Sequence, residues 1–99
     1  MTRVTFSATV WRWSGDAAWF FVTLPEEKVA EVRLHRLSSG AARAGGMVKV
    51  RASTGGVEWI TSLFSTKNGD YLLPLKAEVR RRAGLAAGDE IVLTLELLQ

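Results

Sequence analysis

Residues 71–97 constrain the fold of this chain more than any other stretch. Tyr71-Leu72-Leu73 has the aromatic and apolar character of a short strand, and Pro74 stops it by removing a ladder donor. Leu75, Val79 and Ala83 recur at i, i+4 and i+8, so residues 75–83 read as a short helix. Gly84 suits its C-terminal cap, because glycine enters the left-handed region without a Cβ penalty. Gly88-Asp89 then turns the chain into residues 90–98. There Ile91, Leu93, Leu95 and Leu97 share one face of a strand, with Val92, Thr94, Glu96 and Leu98 on the other.

The same period of two recurs upstream. Val4, Phe6, Ala8 and Val10 alternate with Thr5, Ser7 and Thr9 in a strand over residues 3–13. Ser14-Gly15-Asp16 signals a turn, and residues 18–24 form a second, nearly all-apolar strand expected to pair with the first as a hairpin. That pairing brings Trp11, Trp13 and Trp19 to one end of the sheet. Pro25 opens a helix, with Glu26 and Glu27 near the positive end of its dipole. Val29, Val32, Arg33, Ala30, Leu34 and Leu37 make its docking stripe, and Ser38-Ser39-Gly40 ends it. The glycine- and alanine-rich residues 40–46 read as a mobile loop. Residues 47–53 and 57–65 form a hairpin through Thr54-Gly55-Gly56, and Asn68-Gly69 makes a second tight turn.

Six strands and two short helices in 99 residues make one mainly β domain spanning residues 1–99. Strands of this number hide their edges by closing, so the expectation is a small closed β-barrel. With no cysteine, the chain has no disulfides, thiol catalysis or zinc–thiolate site, and packing, with four tryptophans in it, carries stability. No stretch has the ~18 apolar residues of a membrane helix, and residues 1–10 lack a signal peptide's apolar core; a cytoplasmic protein with no membrane partner is expected.

Catalytic signatures are missing. His35 is the single histidine, with Glu31 one turn before it, and reads as a helix-surface residue. No nucleophile elbow, phosphate loop, dinucleotide fingerprint or zinc-protease motif accompanies it, so no catalytic residue, metal or cofactor is assigned.

The cations offer more. Net charge is +3, and Arg80-Arg81-Arg82 is the densest run, but three successive helical residues fan over about 200° and form no single patch. In the 47–65 hairpin Lys49 and Arg51 project from one strand, Trp59 lies on the other, and Arg43 precedes them. Cations beside an aromatic can make an anion or single-strand nucleic-acid platform, although a core Trp59 with ordinary outward cations is the plainer reading. Lys76 and Arg80, at i and i+4, can hold a carboxylate or phosphate if a pocket opens beside them.

These residues also resemble a bacterial family, domain of unknown function number nineteen hundred and five. The likeness rests on Gly56-Val57-Glu58-Trp59-Ile60-Thr61-Ser62-Leu63-Phe64, Gly69-Asp70-Tyr71-Leu72-Leu73-Pro74-Leu75-Lys76, Val79-Arg80, Gly84-Leu85 and Gly88-Asp89-Glu90-Ile91-Val92-Leu93. Phe6 with Ala8 and Val10, and residues 19–25, also fit. The resemblance implies a small closed barrel related to cradle-loop and double-psi barrels, and it brings no reaction or cofactor. Its members are often fused to a YdeI/OmpD-associated domain, and a stand-alone copy is expected here. A weaker likeness of residues 73–97 to the DNA-binding AbrB-type barrels is weighed as topology more than as nucleic-acid binding.

The expected function is a non-enzymatic binding or interaction module for a small anionic ligand or a protein partner. Its candidate ligand residues are Arg43, Lys49, Arg51, Trp59, Lys76 and Arg80. A nucleic-acid-binding barrel is the alternative, and an enzyme with an unrecognised site a further one.

Overall fold

The structure, a computed structural model, describes residues 2–15, 18–39 and 47–98. Seven strands and two helices follow one another: β1 (Arg3–Thr9), β2 (Trp11–Arg12), β3 (Phe20–Thr23), α1 (Glu26–Ser39), β4 (Met47–Thr54), β5 (Val57–Ser65), β6 (Tyr71–Pro74), α2 (Ala77–Ala83) and β7 (Glu90–Leu97). All strands join one antiparallel sheet in the order β1-β7-β4-β5-β6-β3-β2. The fold is mainly β, as expected. The expected loop over residues 40–46 lies outside the described residues.

Two expectations need correction. The hydrogen-bonded order is linear, with β1 and β2 at its ends, where a closed ring of six strands was expected. The interruption is Val10, whose N–H donates to the Asp89 carbonyl at 2.8 Å and whose carbonyl accepts from Gly88 N–H at 2.8 Å. These bonds hold residue 10 against the turn before β7, so the predicted 3–13 strand divides in two. The hairpin also shrinks: only Trp11 and Arg12 pair with Phe21 and Phe20, while all of β1 pairs with β7. Strand length explains this, since four-residue β3 cannot satisfy a seven-residue partner and eight-residue β7 can.

Alternation sorts β1, β4 and β7 as predicted. Val4 and Phe6 of β1, Val48, Val50 and Ala52 of β4, and Leu93, Leu95 and Leu97 of β7 turn inward and are buried. Leu63, Leu73 and Tyr71 join the same core. From α1 come Val29 and Val32, whereas Leu34 and Leu37 are 66% and 72% exposed. The docking stripe is therefore narrower than expected: Leu34 lies about 200° round the helix from Val32. Arg36, on the docked side, donates to the Tyr71 hydroxyl at 2.9 Å and fixes that orientation.

α2 packs on β5 through the buried Val79 and ends as the sequence predicts. Gly84 has φ 68°, and Leu85 N–H reaches back to the Arg80 carbonyl at 2.9 Å. A Cβ at Gly84 would meet no atom within 4 Å, so substitution acts through backbone conformation alone. Gly84→Ala is expected to cost about 1 kcal/mol, read as a lower urea midpoint at unchanged slope.

Candidate functional site

Two surfaces carry the predicted ligand residues, and they differ in electrostatics. The first is the outward face of β1, β7, β4 and β5, where Arg3, Arg51, Ser53, Glu58, Thr94 and Glu96 line a polar depression of about 540 Å³. Arg51 pairs with Glu96 and stands 4.0 Å from Glu58; Arg3 also reaches Glu96, at 3.4 Å. Two guanidinium groups thus face two carboxylates, and an incoming anion must compete with both. Lys49 shares this face, opposite Ser62.

Trp59 does not join them. It stands opposite Ala52, whose side chain is buried, and its own ring packs against the core. Its indole N–H is buried with no hydrogen-bond partner among the described residues. Lys49 and Arg51 occupy the odd, outward positions of β4, so the imagined platform of Lys49, Arg51 and Trp59 is split between two faces of the sheet. Arg43 lies outside the described residues. Glu96→Gln should uncover Arg51 and Arg3 and lower stability by about 1 kcal/mol, a loss that shrinks in 0.5 M salt because the pairs are partly exposed. Paired urea titrations at low and high salt measure it.

The second surface gathers at β2, β3, β6 and the start of α2. Trp11 and Phe21 face each other across the β2–β3 pair, with ring centroids 5.1 Å apart. Phe21 and Trp19, two residues apart on one face, hold their ring planes within 8° at 6.3 Å. Trp11 Nε1 donates to the Thr23 hydroxyl at 3.0 Å, and Trp13 N–H to the Trp19 carbonyl at 2.9 Å. The Trp13 ring lies so close over Gly15 that a Cβ there would sit 1.9 Å from it. Trp11, Trp13, Trp19, Phe21 and Leu72 line a groove of about 410 Å³ whose walls are almost wholly apolar. Trp13 and Trp19 remain 48% and 52% exposed, unusual for so large an apolar ring.

Trp19 also walls a second groove of about 300 Å³, completed by Phe20, Pro74, Ala77 and the two cations Lys76 and Arg80. Arg80 is held on two sides. Its Nε donates to the Leu75 carbonyl at 3.2 Å, and its guanidinium carbon lies 3.8 Å above the centre of the Phe20 ring. The terminal nitrogens of Arg80 have no acceptor, and neither Lys76 nor Arg80 has an acidic partner, among the described residues. Of the six predicted residues, these two are brought together at a groove.

Phe20, Phe21 and Leu72 were missed by the sequence reading. The signal for the two phenylalanines was the alternation within residues 18–24, which puts Trp19 and Phe21 on one face and Phe20 with Val22 on the other. The expected approach of His35 to Glu31 is also replaced: His35 Nδ1 bonds the Thr2 hydroxyl at 3.0 Å, and Glu31 pairs with Lys28 at 3.0 Å. Among the described residues no three His, Asp or Glu side chains gather as a metal site, and no helix is long and apolar enough to cross a membrane.

No curated protein matches the chain. The family model for a domain of unknown function, DUF1905, matches residues 6–95, a span that includes β2, β3, β6, α2 and both grooves. On that match, the chain belongs to the DUF1905 family.

Proposed function

We propose that this protein is a non-enzymatic binding module whose ligand is a small anion held by Lys76 and Arg80 in the groove between β3 and α2. The observation that carries this reading is the state of Arg80. Stacked on Phe20 and tied to the Leu75 carbonyl, it keeps its terminal donors without an acidic partner among the described residues. A guanidinium already fixed in place loses little conformational freedom on binding a carboxylate or phosphate. Arg51, by contrast, is satisfied by Glu96 and Glu58.

Residue 10 bonds towards β7 while Trp13 bonds towards the chain before β3, so one bent stretch serves both ends of the open sheet. The groove opens at this rim of the sheet. A cysteine-free chain suits a reducing compartment, and we assign the module to the cytoplasm.

Thermal unfolding in increasing inorganic phosphate, at constant ionic strength, tests the proposal. A ligand at ten times its dissociation constant stabilises the folded state by about 1.4 kcal/mol. The wild-type protein and Lys49→Gln are expected to gain this stabilisation, and Lys76→Gln to lose most of it. Absence of stabilisation in the wild type, or its loss in Lys49→Gln, would overturn the reading.

A further inference from the structure

The anion groove shares Trp19 with the aromatic groove beside it, and that shared wall bears on what the ligand is. We infer that the ligand is a planar aromatic anion: its ring lies along Trp19 in the groove of Trp11, Trp13 and Phe21, and its phosphate or carboxylate reaches Lys76 and Arg80. This rests on the anion site proposed above and deepens it.

Three observations lead there. The aromatic groove offers almost no polar atoms, so a hydrated anion alone gains nothing by entering it. Trp13 and Trp19 nevertheless leave about half their surface in water, although an aromatic wall of this size is stabilised by being covered. The Trp19 and Phe21 rings are nearly parallel, which gives a flat occupant a matching orientation, and Gly15 leaves the space in which the Trp13 ring sits.

Charge then decides between the two kinds of ligand that aromatic grooves take. Such walls also attract quaternary ammonium groups. Here the adjoining cations are Lys76 and Arg80, with no carboxylate lining either groove among the described residues, so a cationic ligand meets repulsion and an anionic one attraction. The combined volume, about 410 and 300 Å³ on the two sides of Trp19, suits a small molecule with a ring and one charged group.

The test titrates the 99-residue chain with four probes, following tryptophan fluorescence and calorimetric heat. The probes are 1-naphthyl phosphate, inorganic phosphate, neutral 1-naphthalenemethanol and a ten-residue oligothymidylate. Stacking one ring on an aromatic side chain is worth about tenfold or more in affinity. Naphthyl phosphate is therefore expected to bind at least tenfold more tightly than either phosphate or the neutral alcohol. Trp19→Ala should remove that advantage, and Gly15→Val, which displaces the Trp13 ring outside the anion groove, should reduce it while leaving phosphate binding unchanged. Equal affinity for phosphate and naphthyl phosphate would overturn the aromatic inference but leave the anion site standing. Equal affinity for the neutral alcohol and naphthyl phosphate would overturn both, as would no binding by either anion. Tighter binding of the oligothymidylate, with phosphate still bound, would overturn the small-molecule inference in favour of a single-stranded nucleic-acid surface.

Discussion

Leu95→Ala is expected to lower the unfolding free energy by about 3 kcal/mol. Leu95 is fully buried on β7, between Val4 of β1 on one side and Ala52 of β4 on the other. Removing three carbons there strips contacts from two neighbouring strands at once, and paired strands on both sides limit how far the site can collapse. Domains of this size hold only about 5–15 kcal/mol in all, so much of the reserve goes with one side chain. Val92→Ala on the same strand is the control. Val92 is 60% exposed on the outward face, and its truncation should change stability by less than about 0.5 kcal/mol. Urea titrations with equal slopes measure both. Equal losses at residues 92 and 95 would contradict the assigned faces of β7.

The second large effect is functional. Replacing Lys76 and Arg80 together by glutamine should weaken anion binding about a hundredfold or more, because each charge-assisted hydrogen bond contributes about 1.5–3 kcal/mol and each 1.4 kcal/mol is tenfold. The two side chains differ in what else they do. Lys76 is exposed and has no ion pair among the described residues, so Lys76→Gln should leave stability nearly unchanged. Arg80 also covers Phe20, and its loss should cost about 1 kcal/mol of stability through that contact. Arg80→Lys separates charge from shape: an ammonium keeps the charge but cannot bond Leu75, lie flat on Phe20 and present a fork together. It should lose about tenfold in phosphate affinity. Calorimetric titration with phosphate reads all three variants, and an Arg80→Lys protein binding as tightly as wild type would remove the fixed guanidinium from the account.

Period-two alternation made the fold legible wherever both faces of a strand had distinct environments. β1, β4, β5 and β7 follow it, and the expected 47–65 hairpin forms, with Lys49 opposite Ser62 and Ala52 opposite Trp59. Pairing between distant strands was not legible. β1 goes to β7, over eighty residues away, because strand lengths match, and no local signal records such a match. The same blindness misjudged Arg51, whose carboxylate partner Glu96 arrives on β7. Lys76 and Arg80 were found from their spacing, but Phe20, which fixes Arg80, comes from β3 some sixty residues earlier. Tryptophan clustering at Trp11, Trp13 and Trp19 was visible, and the groove they form required the β2–β3 pairing to be known.

The four tryptophans, Trp11, Trp13, Trp19 and Trp59, make the most direct test, since each indole N–H gives its own signal in a proton–nitrogen correlation spectrum. Three line the aromatic groove, and Trp59 is packed against the core and lines neither groove. On addition of 1-naphthyl phosphate the signals of Trp13 and Trp19 should move most, Trp11 less because its N–H is engaged by Thr23, and Trp59 hardly at all. A spectrum in which Trp59 shifts while Trp13 and Trp19 stay still would contradict a ligand site at this rim of the sheet.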